Sequence, residues 1–279
     1  NKYYLVTYKV YKDVRMVFAP PSSVGKFGGD TDNWMWPRHT GDFSVFRVYA
    51  DSNNEPTNYN KDNRPYRPKY VSKVSMQGFE EKDYAMTIGF PGSTNRYLSS
   101  WGVKQRMEDT NAPRIEVRGI KQEIWKEAMR NSDAVRIKYA SKYAGSSNYW
   151  KNSIGMNRGL ERLKIIERKK TEEQDFTNWV NQDTKRKAEY GEIMTLLENG
   201  YTETNNYRNV LTYLTESFLS GTEIVRLART VQSFVPDQSS GMEIDAFIEE
   251  SILPFFKDYE PELDEKVAAA MLRIAKERV

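Results

Sequence analysis

A chain of 279 residues holds one large domain or two modest ones, at roughly 150 residues per domain. Its 42 Lys and Arg against 39 Asp and Glu leave a formal charge of only +3 and a pI near 8.7; the bases are everywhere mixed with acids, which argues against nucleic-acid binding. A 38% hydrophobic share supports real cores at a mean hydropathy of −0.77, and no run approaches the about 18 apolar residues of a membrane span, so membrane insertion is not expected.

Zero cysteines exclude disulfides, thiolate metal sites and a cysteine nucleophile within this chain. A single histidine, His39, excludes a multi-histidine zinc site. Asn1-Lys2 at one end and a helical pattern running into Val279 without a cap at the other read as a piece of a longer protein.

In chain order, Tyr3–Tyr11 mixes aromatic and β-branched residues, and Val14–Ala19 reads as its hairpin partner. Asp42-Phe43-Ser44-Val45-Phe46-Arg47-Val48-Tyr49 is the most strand-like run. Asp51–Lys69, with Pro56, Pro65, Pro68 and several asparagines, predicts a long surface loop. Tyr84–Phe90 reads as a buried strand, followed by the turn Pro91-Gly92-Ser93. From Ala112 the period becomes helical. Ile120, Ile124, Trp125 and Met129 share one face, as do Leu160, Leu163 and Ile166. Ile224, Leu227, Val231 and Phe234 form another stripe; so do Leu263, Val267, Met271 and Ile274, behind Pro261. Strands come first and helices second, which predicts an α+β chain of two segregated units, residues 1–94 and 95–279.

The densest cluster of unusual residues is Gly28-Gly29-Asp30-Thr31-Asp32-Asn33-Trp34-Met35-Trp36-Pro37-Arg38-His39-Thr40-Gly41-Asp42. One reading is a site-building loop in which indoles wall a pocket and Asn, Arg and Asp supply directional polar contacts. The other is a structured loop whose tryptophans plug a barrel and whose acids cap turns. Neither Asp30-Thr31-Asp32 nor Asp51–Asp62 combines the sixth-position glycine with the twelfth-position acid of a calcium loop, and both read as solvated turns.

Asp42, ahead of Phe-Ser-Val-Phe-Arg-Val, resembles the aspartate-led strand of trypsin-like serine peptidases. The longer string from Gly28 to Phe43 resembles the bacterial dipeptidyl-peptidase 7 and 11 family of chymotrypsin-fold serine exopeptidases. Gly89-Phe90-Pro91-Gly92, Thr94-Asn95-Arg96-Tyr97 and Ser147-Asn148-Tyr149-Trp150-Lys151-Asn152 continue the match. The resemblance implies that residues 1–94 are part of a chymotrypsin-like antiparallel β-barrel. It makes residues 95–279 an all-helical cap, truncated at its C-terminal end, that roofs the cleft so only two residues fit before the scissile bond. It also implies export by a signal peptide to the periplasm or cell surface, homodimerisation, and peptide substrates cut without metal or other cofactor. Residue by residue, Asp42 matches the triad aspartate. Asn33 and Asn148 match asparagines that hold the substrate's free amino terminus, Trp34 lines that subsite, and Arg38 braces the loop or the substrate backbone.

One departure is plain. In this order of triad residues the histidine precedes the aspartate by tens of positions, yet the sole histidine lies three before Asp42. His39 therefore reads as a structural or subsite residue. Ser146-Ser147 and Ser239-Ser240 read as lying in helix-bounded loops and lack a nucleophile turn. The expected base and nucleophile belong to the remainder of the protein, leaving this chain inactive alone. The rival expectations are a non-catalytic peptide-binding module on a peptidase-like scaffold, or a helical structural protein with a β appendage.

Overall fold

In the computed structural model, residues 2–86, 92–234 and 244–279 are described. The chain is α+β and divides into two compact units, Asn1–Thr94 and Asn95–Val279.

The first unit is built on a small antiparallel sheet in the order β1-β2-β3. β1 (Val14–Phe18) pairs with β2 (Val45–Ala50) through Val14↔Val48, Arg15↔Arg47 and Met16↔Phe46, then bulges before Phe18↔Val45. The two-residue β3 (Arg64–Pro65) joins the other edge through Tyr49↔Pro65 and Ala50↔Arg64. The expected Tyr3–Tyr11 hairpin is absent: 2–13 has no ladder, and Leu5 is 95% exposed. β propensity records how a side chain packs on a pleated surface, and no described strand offers that surface to this segment. The expected strand at 84–90 is irregular through Met86, and 87–91 lie outside the described residues.

The 51–69 loop is well tied. Asp51 Oδ1 accepts from the backbone N–H groups of Asn53 (2.8 Å) and Glu55 (2.9 Å). Asn54, at φ +65°, bonds both backbone groups of Arg67, accepting from its N–H at 2.8 Å and donating to its carbonyl at 3.0 Å. Asp13, 2% exposed, anchors the loop to β1. It accepts from Arg15 at 2.9 and 2.8 Å and from Asn63 Nδ2 at 2.8 Å. The Arg15 guanidinium also lies 3.7 Å from the centroid of the Tyr49 ring. Ala50 is buried, yet Val14, Met16, Phe18, Phe43, Val45 and Phe46 stay largely exposed. The unit carries the strands of a β core without a cover over them among the described residues.

The second unit is helical. Two single turns of the first unit, α1 (Ser22–Gly25) and α2 (Gly29–Asp32), precede it in the numbering. α3 (Ser100–Gln105) runs through a π-helical turn, Arg106–Asn111, into α4 (Ala112–Asn131). Helix therefore starts twelve residues before the expected Ala112. The wide turn is held by Asn157, which accepts from Asn111 Nδ2 at 2.7 Å and donates to the Met107 carbonyl at 3.2 Å. α5 (Asp133–Arg162) follows Ser132, whose hydroxyl caps Val135 N–H at 3.3 Å. It ends at Leu163 and a left-handed Lys164 (φ +49°). Leu160 and Ile166 thus fall on different helices, and Leu163, in the break between them, is exposed.

Beyond the break come α6 (Ile165–Asn181), α7 (Thr184–Tyr190) and α8 (Ile193–Leu214), the last passing into a π-helical turn, Thr215–Leu219. α9 (Glu223–Ser233), α10 (Ile244–Phe247), another π-helical turn (Ile248–Ile252), α11 (Leu253–Lys257) and α12 (Pro261–Arg278) complete it. The core joins Val117 and Trp125 of α4, Tyr139 of α5 and Tyr213 of α8 to Leu263, Val267, Met271 and Ile274 of α12. The α12 spacing of four, four and three puts all four on one buried stripe, as read from the sequence. The α9 stripe forms too, but Ile224 and Val231 remain about half exposed. Among the described residues no helix is long and apolar enough to cross a membrane.

Candidate active-site elements

The Gly28–Asp42 string forms a loop closed at its root. α1 turns against Pro21, whose carbonyl accepts from Val24 N–H at 2.8 Å and Gly25 N–H at 2.9 Å. At the far end Gly41 N–H donates back to the Val24 carbonyl at 3.0 Å. That bond brings the two ends of an eighteen-residue excursion together and sets Asp42 three positions before Val45, where β2 begins.

The paired glycines have separate reasons. A Cβ on Gly28 would lie 1.8 Å from Asp32 Oδ2, so only glycine leaves room for that carboxylate. Gly29 adopts φ +52°, which glycine does without steric cost. The α2 turn that follows carries Asp32, half-buried, with Oδ2 lacking a hydrogen-bond partner among the described residues. Asn33 and Trp34 form the next turn. Trp34 takes φ +58°, an uncommon conformation for a large side chain, and its indole is half exposed. Trp36, before a cis Pro37, is 88% exposed. The indoles therefore do not plug this unit. Arg38, His39 and Asp42 are all exposed, and no hydrogen bond joins His39 to Asp42.

Asn148 belongs to the second unit, midway along α5 and half-buried. Its neighbours Ser146 and Ser147 are buried within that helix, not in the loop expected for them; Ser239 and Ser240 lie outside the described residues. Gly-Ser-Ser-Asn is a poor helix sequence by propensity. Tertiary packing overrides it, because small side chains let α5 approach α4 closely. Ser146 Oγ accepts from Gln122 Nε2 at 3.1 Å, and Trp150 Nε1 donates to the Ile115 carbonyl at 2.9 Å.

Comparison with known proteins covers the whole chain. Residues 1–279 match the family described as Peptidase S46. This chain belongs to the peptidase S46 family. It is 59% identical, over its full length, to the dipeptidyl-peptidase 7 of Porphyromonas gingivalis, of which it covers 38%. It is 43% identical to the Asp/Glu-specific dipeptidyl-peptidase of Flavobacterium psychrophilum, covering 96% of this chain and 38% of that one. The crystal structure of Porphyromonas endodontalis DPP11 with the dipeptide Arg-Glu superposes with a TM-score of 0.77 at 38% identity. That match covers 96% of this chain and 39% of DPP11. This S46 chain thus spans less than two fifths of the length of these relatives.

The sequence reading overlooked a polar centre in the helical unit. Glu216, 5% exposed in the turn after α8, accepts from Arg114 Nε at 2.8 Å and Arg118 Nε at 2.7 Å, with Arg118 Nη2 at 3.3 Å. Burial alone would raise the Glu216 pKa, but the two guanidiniums outweigh it and hold the group below its ordinary value. The available signal was the Arg114/Arg118 pair, which an i, i+4 spacing places on one helix face.

Proposed function

We propose that this S46 chain is the part of a serine dipeptidyl peptidase that supplies the triad aspartate, Asp42, and a portion of the subsite for the substrate's amino terminus. The observation that carries the reading is the closed Gly28–Asp42 loop, which sets an exposed carboxylate at the root of a barrel strand in a chain similar throughout to named dipeptidyl-peptidases. In the whole enzyme a serine from the remainder of the protein attacks the second peptide carbonyl. A histidine, also from the remainder, takes its proton and returns it to the leaving amine. Asp42 orients that imidazole and stabilises its protonated form without itself becoming protonated.

Release of dipeptides requires a site that measures from a charged α-amine. Such a group loses its hydration on entering a closed pocket and needs placed acceptors in return. Asn33 and Asn148 offer side-chain carbonyls, Trp34 a rigid wall, and Arg38 a brace for the loop or the substrate backbone. The helical unit acts as the cap that limits the cleft to two residues. The exposed apolar strands of the first unit fit the same reading, because the remainder of the barrel would cover them. The enzyme works as an exported homodimer in the periplasm or at the cell surface, without metal or other cofactor, and the present chain alone is inactive.

The test is Asp42→Ala in the full-length protein, assayed on dipeptidyl fluorogenic substrates. Turnover falls about 10⁴-fold if Asp42 holds the base, while His39→Ala stays within a few-fold of the parent. An Asp42→Ala enzyme working within a few-fold of normal removes the triad role. Absence of any dipeptidyl hydrolysis by the full-length parent favours the peptide-binding module instead.

A further inference from the structure

Within the helical unit, α4, α5 and the segment entering α9 enclose a cleft of about 370 Å³. Its lining is unevenly charged. Arg118, Lys121, Lys142 and Arg226 face Glu223 as the only acid of the wall. Several of these charges are already answered. Arg118 belongs to the Glu216 pair, and Lys142 Nζ lies 2.6 Å from Glu223 Oε2. The Tyr139 hydroxyl, whose pKa is raised by burial and then by the Glu223 charge, faces the same carboxylate. Asp264, behind the cleft wall, is engaged by Glu223 N–H at 2.8 Å and Ile224 N–H at 2.9 Å.

Two cations are not answered. Lys121 is 5% exposed, and its only acceptor among the described residues is the Ser220 carbonyl at the long distance of 3.5 Å. Arg226, at the mouth, pairs with no acid among the described residues. Beside them Thr222 is 3% exposed, and its hydroxyl has no hydrogen-bond partner among the described residues. Arg226 is exposed and solvated, but Lys121 and the Thr222 hydroxyl are buried, where polar groups without a close partner are costly. The Trp125 and Tyr149 rings share the rest of the wall with Ser141, Ser146 and Ser220, and Lys121 Nζ lies 5.1 Å from the centroid of Trp125.

We propose that this cleft is a binding site for a small organic carboxylate. Its anionic end meets Lys121 and the Thr222 hydroxyl, Arg226 closes on it from the mouth, and its carbon skeleton lies between Trp125 and Tyr149. Burial, then repulsion from Arg118, pulls the pKa of Lys121 down to about 8 against attraction from Glu216 and Glu223, and a bound anion would raise it again. The inference does not rest on the catalytic reading, because none of the residues it uses is given a role there.

The test is calorimetric titration of the full-length protein with glutarate, at fixed ionic strength, beside the uncharged glutaramide. Two variants report on the site. A Cβ on Gly145 meets nothing within 4 Å, so Gly145→Leu can start a side chain at the cleft wall and gains helix propensity. Lys121→Met removes the buried charge while keeping most of the side-chain volume. Glutarate is expected to bind, glutaramide not, and each variant to weaken glutarate at least about tenfold, the scale of one charge-assisted hydrogen bond. No glutarate heat above that of glutaramide overturns the proposal. So does unchanged affinity in either folded variant, which would place the anion elsewhere. If Lys121→Met fails to fold, Gly145→Leu decides alone.

Discussion

Glu216 is the residue whose loss the helical unit should feel most. Its carboxylate accepts from two arginines of α4, and the side-chain exposures are 6% for Glu216, 19% for Arg114 and 16% for Arg118. At such burial solvent cannot take over the role of the missing partner. Glu216→Ala leaves two guanidiniums side by side with no counter-charge. Breaking a buried pair in this way costs about 3–5 kcal/mol. At about 1.4 kcal/mol per decade that corresponds to a loss of roughly 10² to 4 × 10³ in hydrogen-exchange protection wherever exchange passes through opening of this bundle. The assay is native-state exchange on the full-length protein, followed in peptides from α4 and the end of α8. A second variant separates attraction from desolvation. Replacing Arg114, Arg118 and Glu216 together by Met, Met and Leu removes the cost of burying charge along with the pairing, and should be near neutral. Protection that falls less than about threefold in Glu216→Ala would refute the argument, because the carboxylate would then be worth no more than a surface ion pair.

The other expectations are narrower. Asp13 is held at a pKa of about 2 by the Arg15 guanidinium and then by Asn63, against opposing desolvation. A depressed folded-state pKa contributes stability that is complete above the ordinary carboxylate range and disappears as pH falls toward about 2. Acid titration should therefore loosen the 51–69 loop below pH about 4, and Asp13→Asn should remove that transition from exchange or proteolysis profiles. Gly221→Ala should destabilise the entry to α9 sharply, since its Cβ would sit 1.8 Å from the Ser217 carbonyl oxygen. A melting temperature unchanged by this substitution would mean that the tight turn after α8 relaxes freely.

The peptidase motif was the most legible part of this chain, because it depends on residue identity at fixed spacing and not on packing. Gly28, Gly29 and the Asp42 strand could be read directly, and the structure adds why the glycines stand there: one yields to Asp32, the other takes a positive φ. The α12 stripe was equally legible, since a single helix with a 3.6-residue period needs only its own sequence to present a face.

Tertiary structure decided everything that depended on a partner. Tyr3–Tyr11 has strand composition and forms no ladder, because a strand exists only where another backbone offers hydrogen bonds. Gly145–Asn148 has loop composition and is helical, because buried serines against α4 repay the poor propensity. Glu216 lies 102 residues from Arg114 and 98 from Arg118 in sequence, and only folding brings it within hydrogen-bond distance of them. Local sequence thus specified helical faces and turn residues. Which charges meet, and which are left without a partner, followed from how the helices pack.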